Sequence, residues 1–408
     1  MQCPQRLRPS SGILFPSMRI EKLYVGGWFQ RTTLHLSEMY DFFKEGTSPL
    51  ALDTKKLEKL RNTLSLTQVD FHVGKLESVQ VQNKAGVEVQ IFEDGLILLA
   101  QQPQATIKRD IKALTTYYEQ MLSPALSYLF SLGAPMPKEL ANIKTIYPYF
   151  VVVRDALPKD IKALLRQFGE KEHFTIERPE FGIYRGDKLY IIHAISVDRK
   201  EVEKFIVEQI FMREFKGQLH RYLNLHRLIW ERIAEVKEKG EIKGKEVGAL
   251  NASIESYSKT INLIDARMNQ MGTYVRTREA IVKGDPAMQQ FLEVLQFKHE
   301  ALVDTLSYVK DIWKMTKNYV DSALQLFTAI QAKSTEASVK NLTIITSMGV
   351  GASLIGLFAQ KTPEFTSFGV GYFFILAIVG YLANEGMKKV ALNRMYKIKD
   401  ADIAKDLK

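Results

Sequence analysis

Asn341–Gln360, NLTIITSMGVGASLIGLFAQ, and Phe365–Ala383, FTSFGVGYFFILAIVGYLA, decide how this chain reads. Neither stretch contains Asp, Glu, Lys or Arg, and only Lys361 and Glu364 place charge between them. A helix of roughly 20 apolar residues crosses the hydrocarbon core of a bilayer. The expectation is a two-helix transmembrane hairpin over 341–384, preceded by an extramembrane body of about 340 residues. The competing reading is a pair of helices buried in an ordinary protein core, because an apolar run by itself does not distinguish the two.

The flanks give an orientation. Lys388, Lys389, Arg394, Lys397 and Lys399 follow the second stretch, and Lys333 and Lys340 precede the first. Basic residues stay on the cytoplasmic side. An integral membrane protein with cytoplasmic N- and C-termini is expected, in the plasma membrane of a prokaryote. Small residues suit close packing of the two spans: Ser347, Gly349, Gly351, Ser353 and Gly356 in the first, Gly369, Gly371 and Gly380 in the second.

The net charge is +10, but acidic and basic residues alternate through most of the chain. No basic stripe with interleaved aromatics is present, so a nucleic-acid partner is not expected. Lipid head groups account better for the basic tail over 385–408. Cys3 is the only cysteine, which excludes a disulfide framework and a Cys-based zinc site. Residues 1–17 have no signal-peptide run. They read as disordered or as a mis-assigned start, with Met18 opening the first strand.

The body is expected to fall into a cytoplasmic α/β domain over 18–197, a helix pair over 198–284 and a stalk helix over 285–340. In the first part, strands are expected at Ile20–Val25, Val69–Val73, Glu77–Gln82, Val87–Phe92, Leu96–Ala100, Tyr149–Arg154, Phe181–Tyr184 and Lys188–Ala194. Helices are expected at Leu36–Glu45, Thr106–Leu132 and Pro158–Phe168. Glu93-Asp94-Gly95 and Arg185-Gly186-Asp187 are hairpin turns. Each of these hairpins precedes a helix, which suggests a duplicated unit, although chance recurrence explains it equally well. No phosphate-binding Gly loop, metal-spaced His cluster or nucleophile elbow is present, so the chain is not expected to be an enzyme.

Beyond Asp198 the pattern is helical. Gly240–Gly248 reads as a turn, and Gly284-Asp285-Pro286 ends one helix and caps the next. No Pro or Gly occurs between Pro286 and Gly349. A heptad runs through this segment at Met288, Leu295, Leu302, Val309, Thr316, Ala323, Ile330 and Ala337. Its companion positions are Leu292, His299, Leu306, Trp313, Val320, Phe327 and Ser334. A 3.5-residue repeat of this length implies a coiled-coil seam, within one chain or around a symmetry axis.

This plan resembles the CorA-type metal-ion transporters, most specifically over Ser334–Lys389. The similar elements are Asn341-Leu342-Thr343-Ile344-Ile345, Gly356-Leu357-Phe358, Pro363-Glu364 and Lys388-Lys389. The resemblance implies a CorA-like fold: an α+β cytoplasmic domain, a long-helix stalk and a transmembrane hairpin, in a homo-pentamer around a pore. It also implies a membrane ion channel or transporter for a metal cation, with a divalent cation as substrate or regulator and no other cofactor. The family's Gly-Met-Asn signature is missing; Ala359, Gln360 and Lys361 stand in its place, so altered selectivity is expected. With Glu364 these form the expected outer mouth. Asn341, Ile345, Met348, Ala352 and Ile355 share a helical stripe that would line the pore. Glu293 with Glu300, and Asp304 with Asp311, are seven apart on one helix face and could share a regulatory metal ion, or simply form a solvated face. The alternative function is a non-conducting membrane-anchored scaffold or ligand-sensing effector with a cytoplasmic α/β head.

Overall fold

The computed structural model describes residues 18–28, 36–132, 149–238, 240–358, 378, 381–382, 385–386, 389 and 393–397. Its described residues divide into two units, one within Met1–Arg221 and Ala266–Tyr308, the other within Tyr222–Asp265 and Val309–Lys408.

The first unit is built on a nine-stranded sheet. Its strands are β1 (Arg19–Trp28), β2 (Leu66–His72), β3 (Ser78–Asn83), β4 (Glu88–Phe92), β5 (Leu96–Gln101), β6 (Tyr149–Arg154), β7 (Phe174–Glu177), β8 (Phe181–Arg185) and β9 (Leu189–Ala194). The spatial order is β2-β3-β4-β5-β1-β6-β9-β8-β7. Central β1 is buried from Leu23 to Trp28, as a strand covered on both faces must be. Leu23, Val25, Ile97, Leu99, Val151 and Val153 share one core with α1 (Leu36–Glu45), α2 (Thr54–Leu64), α3 (Ile107–Tyr117), α4 (Ser123–Leu129) and α5 (Pro158–Gln167). The opposite face meets α6 (Arg199–Glu238): Trp28 stacks on Phe215 with ring centroids 5.6 Å apart.

The two hairpins flank the central pair β1–β6. However, β5 pairs antiparallel to β1, whereas β9 pairs parallel to β6. The two halves are therefore not copies of one structural unit. The single helix expected from Thr106 is interrupted by a π turn at Tyr118–Leu122. Pro124 has no N–H to donate, so the ladder slips just before it. Helix α2 has only Leu57 and Leu64 buried and gives little periodic signal; Asp53 caps it, accepting from the amides of Lys55 and Lys56.

Helix α7 (Gly244–Lys283) starts earlier than its Gly-rich sequence suggests. A short strand, β10 (Glu241–Lys243), precedes it and pairs with β11 (Met395–Lys397) in the second unit. Asp285 caps the turn at Pro286–Phe291, accepting from the amide of Ala287, and α8 (Leu292–Phe358) follows. Along α8 the heptad positions from Leu295 to Ile330 are buried, including His299 and Thr316. Leu292 is half-buried.

The expected transmembrane hairpin is corrected by this structure. Among the described residues, no helix is long and apolar enough to cross a membrane. The described side chains of α8 that precede the expected span follow a different pattern. The apolar ones form a seam, and charged residues such as Asp304, Asp311, Lys314, Lys317, Lys333 and Glu336 occupy the exposed flanks. A helix of that pattern buries a stripe against protein instead of presenting an apolar surface to lipid all round. The integral-membrane fold class is therefore not supported. Neither are the transmembrane and metal-ion-transport descriptions, nor the plasma-membrane location with cytoplasmic termini. On α8, side chains beyond Glu336 other than Thr343 lie outside the described residues, as does the segment 359–377.

Candidate functional site

The turn between β4 and β5 builds the site. Gly95 adopts a φ of +88°, which lets the chain reverse at Glu93-Asp94-Gly95. Asp94 then accepts from the amide of Leu96 through Oδ1, at 3.1 Å. Its Oδ2 is left to face the interior, where it accepts from Arg278 Nε at 2.5 Å. Arg278, on α7, is only 1% exposed. Its Nη1 donates to Glu208 Oε1 of α6 at 2.6 Å. The guanidinium carbon lies 4.5 Å from the Phe211 ring centroid and 5.4 Å from that of Phe92. Glu208 Oε2 lies 3.5 Å from Nε2 of buried His299 on α8. Trp28 Nε1 donates to the carbonyl of Asp94, tying β1 to the same turn.

One buried guanidinium thus joins the sheet to two helices, and Glu208 brings in a third. Burial opposes the charge on Arg278, but Asp94 and Glu208 outweigh it and raise its pKa. On the same sheet face, buried Lys22 donates to Glu88 Oε2 at 2.6 Å, and Tyr24 Oη donates to Glu203 Oε2 at 3.1 Å. Burial and then Glu203 push the Tyr24 phenol upward. These groups pair across elements, although Arg278 Nη2, Glu208 Oε2 and His299 Nε2 are buried without a hydrogen-bond partner.

The second unit has its own polar contact. Thr316 Oγ1 donates to the carbonyl of Ile312, so the same oxygen accepts from Nδ1–H of His226. Burial lowers the His226 pKa. A cleft of about 370 Å³ in this unit is lined by Arg232, Ile233, Glu235, Val236, Ile254, Tyr257 and Phe327. Its two charged residues, Arg232 and Glu235, pair with each other at 3.3 Å.

Sequence-derived candidates fall elsewhere. Glu293 pairs with Arg178 at 2.7 Å on an exposed surface, and Glu300 accepts from Gln296 at 3.1 Å. Asp304 and Asp311 are exposed. Among the described residues, no group of three or more His, Cys, Asp or Glu is placed to hold a metal ion. Asn341, Ile345, Met348, Ala352 and Ile355 lie in α8 with side chains outside the described residues, and Ala359, Gln360, Lys361 and Glu364 lie wholly outside them.

The Arg278 cluster is missed by sequence reasoning because its members are up to 205 positions apart, from Asp94 to His299. One signal was present: His299 and Thr316 are the polar residues of the heptad between Met288 and Ile330. Both prove to face polar partners on α6. No known protein-family model matches this chain, and no functionally curated protein does either.

Proposed function

We propose that this chain is a non-catalytic, ligand-responsive protein. Its α/β head binds a small ligand or partner, and the three long helices carry the resulting change and assemble with further copies of the chain. The observation behind this reading is the Arg278 cluster. A displaced β4–β5 turn pulls on α6 and α7 through one guanidinium and on α8 through Glu208. Such a cluster resists stretching, because parting the ions leaves a buried charge unpaired. The signal has a covalent route, since α6 continues to Glu238 and α8 to Phe358.

Self-association is supported by Phe297 and Tyr308, 74% and 62% exposed. They lie eleven residues apart, which is about three turns of one helix.

Native mass spectrometry and hydrogen-exchange mass spectrometry of the full chain test the proposal together. Asp94→Asn directly perturbs only the first unit, to which Asp94, Glu208, Arg278 and His299 all belong. It is expected to alter exchange in residues 222–238 and 309–330 as well as in the sheet, in a protein of more than one subunit. Altered exchange confined to the first unit, residues 19–221 and 266–308, or a strictly monomeric chain, would sink it.

A further inference from the structure

A second cluster lies on the face of the sheet that α6 covers, and its positive charge is not balanced. Three elements of the first unit converge there. Phe181 at the start of β8 meets Phe291 with ring centroids 4.6 Å apart, and Phe291 stacks on Phe205 of α6 at 4.5 Å. Four residues beyond Phe181 is Arg185, which strand alternation places on the same sheet face. Four beyond Phe205 is Gln209, and seven beyond Phe291 is Lys298.

Lys298 Nζ donates to Gln209 Oε1 at 2.7 Å. Gln209 is 5% exposed, and its Nε2 is buried without a hydrogen-bond partner, as is Nε of Arg185. The Arg185 guanidinium lies 5.5 Å from the Tyr190 ring centroid. One turn beyond Gln209, Arg213 donates to the carbonyl of Asp187 at 3.2 Å.

The nearby acids are committed elsewhere. Glu208 holds Arg278, and Asp187 pairs with His173. Glu170 accepts from the Lys188 amide, and the charges of Arg221 and Arg213 act on buried Glu214. Among the described residues no carboxylate forms an ion pair with Arg185 or Lys298. Burial, and then the charge of Arg185, push the Lys298 ammonium down to about 8. Adjacent cations and idle buried donors cost free energy in an empty site, and an anion seated among them removes that cost.

We propose that this cluster binds a phosphoryl group, as inorganic phosphate or as the terminal group of a small phosphorylated molecule. Arg185, Lys298 and the Gln209 amide are its donors. They come from a strand and two helices, and so from different directions. That arrangement suits a tetrahedral oxyanion better than a planar carboxylate, which one guanidinium fork can satisfy in its plane. Binding stands on this geometry alone, while its consequence for the long helices rests on the signalling function proposed above.

The test is calorimetric titration of the full chain at constant ionic strength, with inorganic phosphate, AMP, acetate and citrate as probes. Wild type is expected to bind phosphate or AMP in preference to the carboxylates. AMP binding at least as tight as phosphate assigns the site to a phosphorylated molecule, and phosphate binding alone assigns it to the free ion. Arg185→Gln and Lys298→Gln are each expected to weaken binding about ten-fold or more, the loss of one charge-assisted hydrogen bond. Unliganded Lys298→Gln should melt no lower than wild type, because a repulsion has been removed; this separates loss of binding from loss of fold. Absence of phosphate and AMP binding, equal binding of acetate, or unchanged affinity in both variants would overturn the site. Phosphate binding that leaves hydrogen exchange unchanged in residues 222–238 would overturn the signalling function while leaving the site intact.

Discussion

Replacing Arg278 with Met keeps an unbranched side chain of similar reach and removes the charge. Asp94 and Glu208 would then face each other without their common cation, in a region where Asp94 is 4% and Glu208 6% exposed. The substitution breaks both ion pairs of the guanidinium, at 2.5 Å to Asp94 and 2.6 Å to Glu208. With charge centres about 4 Å apart and an effective dielectric near 20, each pair is worth about 4 kcal/mol in Coulomb attraction. Desolvation of the three ions offsets most of that sum. What the mutation exposes is therefore the penalty for an unpaired buried charge, about 3–5 kcal/mol. The triple variant Asp94→Asn/Glu208→Gln/Arg278→Met removes the stranded charges as well and should recover most of the loss, to within about 2 kcal/mol of wild type. Hydrogen exchange of the β5 amides is the natural assay, because β5 begins two residues after Asp94 and the Leu96 amide is hydrogen-bonded to that carboxylate. A loss below about 1 kcal/mol in the single variant would refute the assignment of this cluster as a structural clamp. So would a triple variant as unstable as the single.

Three other perturbations follow from the same packing. A Cβ at Gly26 would lie 2.8 Å from both the Ile210 side chain and the Ile97 carbonyl; Gly26→Ala should therefore cost about 1–3 kcal/mol in thermal unfolding. Burial pushes the Glu214 carboxyl up from 4.5 to about 7, so the folded state binds the extra proton between these values. Stability should fall as pH rises through that window. Glu214→Gln should flatten the profile and, at pH 8, exceed wild type by about 1–3 kcal/mol in urea unfolding. Ser65 ends α2 in the left-handed region with φ +52°, and Ser65→Gly should raise stability by up to about 1 kcal/mol, read as a higher melting temperature.

The chain's own sequence determined the local elements. Turn residues bounded by β-rich runs mark the β4–β5 and β8–β9 hairpins, and Asp285-Pro286 marks a helix start, because each signal acts within a few residues. The heptad on α8 was equally legible: burial from Leu295 to Ile330 follows a repeat that one helix carries by itself. The tertiary structure decided the rest. Among the described residues no helix is long and apolar enough to cross a membrane, which the length of an apolar run by itself does not exclude. The parallel pairing of β6 with β9 and the meeting of Asp94, Glu208, Arg278 and His299 both depend on which elements become neighbours. Charge pairing acts through space, and no periodicity along the chain encodes a contact between a hairpin turn and helices more than a hundred residues away.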